Sequence, residues 1–267
     1  MSEDQPGKGF DEFIRVQRLS WAGVQICVEN TTLLIDPLEN IPRGAGVAGE
    51  PRTKVAPSAP QIEAALITHA RDDHYDARSL GSKMKPGGKV LCPAAAAEKI
   101  AADGFSVWGL QNYEVVTVGP YRITALPAVD GLGDDQISFL VEVDGVRILH
   151  CGDTLWHGYW YRFAKEYGPI NLAFLPVNGA QIDLPGVPPT GQPVTMTPPQ
   201  AAAAADILCA WVACPIHYGM FNHPPGFVEW PNSASAFMAE AEKRGVPARL
   251  LEPGEEMLLD RVPPSAD

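Results

Sequence analysis

The sequence predicts a mixed α/β (α+β) fold, a four-layer αββα sandwich in which two β-sheets pack face to face between outer helices. Three observations carry this. Apolar or alternating runs of strand length recur through both halves of the chain, and helical segments cap those runs in each half. No short-period repeat and no composition break divides the 267 residues, so a single domain is expected over 1–267. Hydrophobic residues make up 46% and charged residues 19%, enough to bury a full core at this length.

In chain order, strands are expected over Phe13–Ser20, Val24–Glu29 and Thr32–Ile35, the last running into Asp36-Pro37. The stretch from Ile41 to Pro60 is rich in Gly and Pro and reads as a long loop. Ala64, Ala65, Leu66 and Ile67 form an apolar run that reads as a buried strand, followed by a short helix near Ala77–Met84. Strand Lys89–Cys92 and helix Ala94–Ala102 come next, then strands near Glu114–Val118, Tyr121–Leu126, Ile137–Val143 and Val146–His150. The second half alternates more. Leu155–Tyr167 reads as an aromatic-rich helix, Asn171–Pro176 as a buried strand and Gly179–Pro193 as another Gly/Pro-rich loop. Thr197-Pro198-Pro199 opens an alanine-rich helix, with Thr197 as a cap and proline in the first turn. Strand Trp211–Pro215 precedes His217, helix Ala234–Arg244 stops at Gly245, and strands near Ala248–Leu251 and Met257–Leu259 close the fold.

Charge and composition exclude several function classes. A formal net charge of −12 argues against a general nucleic-acid binder, and no basic amphipathic stretch suits an anionic membrane. No apolar run approaches the roughly 18 residues that span a bilayer, and the polar, acidic start of the chain lacks a signal-peptide core, so a cytoplasmic location is expected. The five cysteines (Cys27, Cys92, Cys151, Cys209, Cys214) form no Cys-x-x-Cys pair and read as small buried thiols, with Cys151 set apart by its closeness to Asp153. No Walker-type loop, dinucleotide fingerprint or serine nucleophile elbow is present. The expected partner is a small-molecule substrate.

The chemistry concentrates in Thr68-His69-Ala70-Arg71-Asp72-Asp73-His74-Tyr75-Asp76, directly after an apolar strand. Two imidazoles and several carboxylates at a buried strand end are costly unless something consumes their charge. A divalent metal does so, because neutral His nitrogens and carboxylate oxygens suit zinc and manganese alike. Other polar strand ends follow: Leu126-Pro127-Ala128-Val129-Asp130, His150-Cys151-Gly152-Asp153-Thr154 and Pro215-Ile216-His217-Tyr218-Gly219.

This ordered set, with Trp21-Ala22-Gly23, Leu34-Ile35-Asp36-Pro37 and Leu175-Pro176-Val177-Asn178-Gly179, resembles the metallo-β-lactamase superfamily along nearly the whole chain. Within it, the chain looks most like the branch of L-ascorbate-6-phosphate lactonase and related metal-dependent hydrolases. The resemblance implies a metal site with Asp73, His74 and His217 as terminal ligands and Asp153 as the carboxylate that normally bridges two ions. The companion site departs from the family. His69 remains, Arg71 stands where the second His belongs, and Asp130 falls where the third is expected. Arginine cannot ligate a metal, so one ion, Zn2+ or Mn2+, is expected rather than two. Arg71 either takes the missing ion's place, paired with Asp130 and Asp153, or swings out to Asp72 or Asp76.

The resulting expectation is a hydrolase of a lactone or similar small carbonyl compound. The metal would activate water. Arg71 would stabilise an oxyanion or clamp an anionic substrate group, and Asp130 or Asp153 would accept a proton. Tyr218 and Asn178 are candidate pocket donors. The rivals are a phosphodiesterase and a non-catalytic anion-binding or regulatory protein on the same scaffold. His150 reads either as support for Asp153 or as a core residue, His157 as packing beside Trp156 and Trp160, and His223 as a loop residue near the pocket mouth. Oligomeric state is not legible in these residues, although relatives of this branch often form homo-oligomers.

Overall fold

Strand burial separates the elements that bear the core from those that border it. Val24–Val28 and Leu172–Pro176 are buried at every position, as central strands covered on both faces must be, whereas Phe13–Arg18 alternates. The computed structural model describes residues 13–40, 62–183, 185–186, 188–221 and 223–261. The long loop expected between Ile41 and Pro60 lies outside them.

The first sheet contains β1 (Phe13–Arg18), β2 (Val24–Val28), β3 (Thr31–Ile35), β4 (Ile62–Leu66), β5 (Met84–Pro93) and β6 (Ser106–Leu110) in spatial sequence, with β15 (Glu256–Asp260) on the outer side of β1. Its strands β3 to β6 run parallel. The second sheet is built from β7 (Val115–Val118), β8 (Tyr121–Pro127), β9 (Ile137–Val143), β10 (Val146–His150), β11 (Leu172–Pro176) and β13 (Val212–Ile216), in the order β13-β11-β10-β9-β8-β7. A two-stranded sheet joins β12 (Gln181–Ile182) to β14 (Phe227–Val228).

Three apolar clusters fill the spaces between layers. Ile26, Leu33, Leu66, Phe139, Ile148 and Phe174 belong to the cluster shared by the two sheets. Leu80 and Ile100, from α1 (Ala77–Lys83) and α2 (Ala97–Ala102), pack on the outer side of the first sheet. On the second sheet lie Trp160 and Phe163 of α3 (Trp160–Tyr167), the alanines of α4 (Pro198–Ile207), and Phe237 and Ala241 of α5 (Ser233–Arg244). These are the four layers the sequence predicts. Fully buried Leu or Phe side chains of this kind contribute about 1.5–3 kcal/mol each, and the small side chains of α4 let α5 approach closely.

Local chemistry sets the helix limits. Asp76 caps α1 by accepting the Arg78 and Ser79 N–H groups at 3.1 and 3.2 Å. In α4, Pro198 occupies the first turn and the Thr197 N–H donates to Gln200 Oε1 at 2.9 Å. Gly245 ends α5 at φ 70°.

Several predicted boundaries move. The aromatic helix begins at Trp160 rather than Leu155, because the Leu155 N–H is drawn to Val129 O and the chain turns only at Gly158 and Tyr159. The strand expected over Ala248–Leu251 reduces to one bridge between Ala213 and Ala248, flanked by Pro247 and Pro253, which cannot donate. Strand β6 was not expected, since its half-exposed pattern with Trp108 and Gly109 carries little apolar signal.

Strand direction positions the site. In the second sheet β8, β10, β11 and β13 point the same way, because β9 is antiparallel to both β8 and β10 while β10, β11 and β13 are parallel. Their carboxyl ends deliver Asp130, Asp153, Asn178 and His217. The first sheet delivers Asp36 after β3 and His69 and His74 after β4. Among the described residues no helix is long and apolar enough to cross a membrane.

Candidate metal centre

Asp36 is the anchor on which the histidine loop is built. It is fully buried and sits in the left-handed region at φ 43°. One carboxylate oxygen accepts the Thr68 N–H at 2.8 Å, and the other meets the Thr68 hydroxyl at 2.6 Å and His74 Nδ1 at 2.8 Å. The loop after β4 is thus fixed at its start and at its imidazole. Burial alone would raise Asp36, but His74, with His150 and His69 behind it, outweighs burial and holds the carboxyl below its usual range. A carboxylate on Nδ1 fixes the tautomer that leaves Nε2 free to bind.

Around that anchor the ligand atoms converge. His74 Nε2 and His217 Nε2 are 3.1 Å apart. Asp73 Oδ2 lies 3.7 Å from the first and 3.6 Å from the second. Asp153 Oδ2 is 3.8 Å from His69 Nε2 and 3.9 Å from both His74 Nε2 and His217 Nε2. Two groups of three ligand atoms therefore form, His69–His74–Asp153 and Asp73–His74–His217, each with all atoms within 4.8 Å of one another.

These residues fit a metal ion. His69 Nε2 and Asp153 Oδ1 are buried with no hydrogen-bond partner, a costly state unless a cation satisfies them. Burial pushes His69 down to about 3 and also lowers His217, which leaves neutral imidazoles. For His74, burial works against the charged form, yet Asp73 and Asp36 prevail and lift it to about 9. Asp73, raised by burial but held low chiefly by His74, stays ionised. The cluster thus demands positive charge where His74 Nε2 and His217 Nε2 converge beside Asp73 and Asp153, and a divalent ion would supply it.

Trp21 was named in the sequence only as part of a supporting match, and the structure gives it work. Its indole N–H donates to Asp73 Oδ2 at 3.1 Å, its ring lies 4.0 Å from the His217 ring, and its carbonyl accepts the His217 N–H. His150 has a positioning contact as well. Its Nε2 meets Ala22 O at 2.7 Å and its Nδ1 accepts the Gly152 N–H at 3.2 Å, fixing the residue before Asp153.

Arg71 points inward. Its Nη2 donates to Asp130 Oδ1 at 3.0 Å, Nε and Nη2 donate to Asp134 Oδ2 at 2.9 and 2.5 Å, and Nη1 is 3.9 Å from Asp153 Oδ2. Asp130, Asp134 and His69 offer a third group of clustered ligand atoms, and the guanidinium bonds both of its carboxylates. Burial disfavours the charge on Arg71, but Asp153 and Asp130 more than compensate and raise it further. Asp130 also accepts the Leu132 and Asp134 N–H groups, and Arg71 holds it low against burial. Asp134 escaped the sequence reading. It lies in a polar loop with no periodicity, and only the folded chain brings it to Arg71.

Other candidates lie elsewhere. The Tyr218 hydroxyl is bound to Arg18 and borders a separate cleft with Glu252 and Pro253, so it is not a donor in the cavity beside the metal centre. Asp76 is engaged with Asn40 and the start of α1 rather than with Arg71. Cys151 packs in the outer core, and burial pushes its thiol up, which keeps it unreactive. His157 stacks on Trp160 at 4.1 Å, a packing role. The His223 N–H donates to Phe227 O at the edge of the cavity.

The family model described as "Beta-lactamase superfamily domain" matches residues 31–218, which span every ligand named above. A UPF0173 metal-dependent hydrolase of Opitutus terrae is 31% identical over 238 residues, covering 84% of this chain and 91% of its own. Another, from Thermococcus kodakarensis, is 28% identical over 235 residues, covering 85% and 92%. Among solved structures, Igni18, a metallo hydrolase of the archaeon Ignicoccus hospitalis, superposes with a TM-score of 0.71 at 20% identity, covering 93% of this chain and 99% of that one, which shows the shared fold. The chain belongs to the beta-lactamase superfamily and, within it, to the UPF0173 metal-dependent hydrolase family.

Proposed function

We propose that the protein is a metal-dependent hydrolase of an ester-like bond, in a lactone or another small carbonyl compound, working with one zinc or manganese ion and with Arg71 in place of a second. The observation that carries this is the Arg71 guanidinium bonded to Asp130 and Asp134 beside His69, next to a complete set of ligands. Asp73, His74, His217 and Asp153 would hold the ion. When bound, it acidifies a water molecule and polarises the scissile carbonyl.

The remaining work falls to the chain's own side chains. Asp36 and Trp21 orient His74 and Asp73. Arg71 brings a fixed positive charge within 3.9 Å of Asp153, where negative charge on a substrate oxygen is stabilised without reorganisation. Asp130 Oδ1 accepts from Arg71 and two backbone N–H groups and so holds the guanidinium, while its Oδ2 has no partner and is the oxygen that would take a proton. In-line phosphodiester cleavage commonly uses two metals about 3.5–4 Å apart, and the arginine in the second position disfavours it.

The test is a panel of chromogenic esters, lactones and phosphodiesters, assayed with the ion bound and after chelation. Ester or lactone hydrolysis that disappears with chelator and returns with the ion is expected. Arg71→Ala should lower kcat about 10²- to 10³-fold, the cost of removing one preorganised charge stabiliser. Steady phosphodiester cleavage without ester hydrolysis would overturn the reading.

A further inference from the structure

The cavity beside the metal centre encloses about 440 Å³, towards the small end of ligand pockets. Arg71, Asp73, Asp153 and His217 line it where the ligands meet. Much of the remaining wall is apolar, contributed by Ala180, Ile182, Val194, Phe221 and Phe227. That wall is constructed. Ile182 and Phe227 are register partners in the two-stranded sheet, and the Val194 N–H bonds Ala180 O at 2.8 Å. Phe221 packs edge-on against Trp21 at 4.7 Å, so the wall is continuous with the residue that holds Asp73.

Among the described residues, the charges of the lining leave no surplus for an anion. Four carboxylates (Asp72, Asp73, Asp134 and Asp153) face two cations, Arg71 and Lys99, and a divalent ion would only bring the set to neutrality. Arg71 also gives Nε and Nη2 to Asp130 and Asp134, so its charge still reaches the reacting oxygen but no free two-nitrogen edge is left to clamp a substrate carboxylate. A neutral amide donor is available among the described lining residues. Asn178 lines the same cavity, and its Nδ2 is buried with no partner. The Ala180 backbone N–H, which can only donate, bonds Asn178 Oδ1 at 3.3 Å, and the Thr195 hydroxyl bonds the same oxygen. The amide is thereby oriented with its oxygen fixed and its N–H groups unspent.

We infer that the substrate is an uncharged acyl compound whose apolar chain lies on the Ile182–Phe227 wall and whose carbonyl oxygen accepts a hydrogen bond from Asn178 Nδ2. The inference rests on the hydrolase reading of the same site. In the reaction, the water oxygen bonds to the carbonyl carbon and the bond from that carbon to the leaving oxygen breaks. One water proton ends on the alcohol, and the acid product releases the other. The donor gains its partner when substrate binds, and the bond strengthens as the carbonyl oxygen takes negative charge.

The test uses the metal-loaded protein. Among p-nitrophenyl esters, kcat/KM should rise from acetate to butyrate by up to about fourfold per methylene, and the anionic hemisuccinate should be the poorest substrate. Phe227→Ala should flatten the chain-length trend. Asn178→Asp, which keeps the oxygen that Ala180 and Thr195 bond, should lower kcat about 10²-fold with KM within a fewfold and metal content unchanged. A preference for the hemisuccinate, or Asn178→Asp acting on KM alone, would overturn the inference. If no ester or lactone is cleaved, the hydrolase reading fails separately, and binding still decides the inference. Hexanamide should bind and move the Asn178 side-chain NH2 resonance of the wild type downfield, whereas succinamate should bind more weakly. An unmoved resonance, or tighter binding of succinamate, would refute it.

Discussion

Asp36 is where a single atom should decide whether the centre binds its ion. In Asp36→Asn the side-chain shape is kept, and the amide oxygen still accepts the Thr68 N–H now held at 2.8 Å. The new NH2 faces the Thr68 hydroxyl and His74 Nδ1, which the carboxylate meets at 2.6 and 2.8 Å. An amide N–H can only donate, so His74 must accept at Nδ1 and carry its proton on Nε2, the atom 3.1 Å from His217 Nε2. The ligand lone pair is then blocked, or the hydrogen bond to residue 36 is lost. Replacing such a partner costs about 10- to 100-fold in metal affinity, equivalent to about 1.4–2.7 kcal/mol. The assay is competition with a chromogenic chelator, read alongside the thermal midpoint of the metal-free protein. Metal affinity within twofold of the wild type, with the fold intact, would refute the argument that Asp36 sets the His74 tautomer.

Three further outcomes are expected. Trp21→Phe removes the indole N–H from Asp73 Oδ2 while keeping a ring against His217; the same chelator competition should show a fewfold weaker ion affinity, and an unchanged affinity would deny the indole a role. Arg71→His vacates the guanidinium and offers an imidazole to the group formed by His69, Asp130 and Asp134; a second equivalent of ion should bind and ester hydrolysis should fall, while uptake of no extra ion would show that the third group is not a ligand set. His157 is held down at about 4 by burial, against an ordinary value of 6.5, and its Nε2 has no partner. Between those values the unfolded chain binds a proton that the folded chain refuses, so its share of stability is intact above about pH 6.5 and declines as pH falls towards 4. Urea unfolding at pH 7 and pH 5 should show a loss of about 2 kcal/mol from this residue, absent in His157→Phe; equal losses in both proteins would contradict it.

The sequence exposed the features that are local and missed those made by folding. The loop from His69 to His74 is legible because its ligands follow one apolar strand within six positions, and Asp153 and His217 are legible because each follows a strand end in the expected order. The layers were legible for the same reason, since apolar strands such as Leu172–Pro176 announce burial by composition. The strand Ser106–Leu110 was not, because an exposed edge with one glycine carries no clear period. Nor were the two-residue strands Gln181–Ile182 and Phe227–Val228, which form part of the cavity wall from within loop-like sequence. Whether Arg71 turned inward or outward was undecidable from its neighbours. Its choice depends on Asp134, a residue distant in the chain that reaches Arg71 only because β8 and β9 bring their connecting loop to the end of β4. Tyr218 misled for a related reason. Adjacency to His217 in the chain placed it near the site, but its ring stacks under Arg18 and its hydroxyl is taken there.

The measurement that bears most directly on the account is elemental analysis of the purified protein after reconstitution with zinc or manganese and removal of excess ion. Close to one ion per chain is expected, held by Asp73, His74, His217 and Asp153 with Arg71 occupying the neighbouring position. Two ions per chain would contradict the account by showing that His69, Asp130 and Asp134 hold a second ion despite Arg71, and none would contradict the metal centre itself.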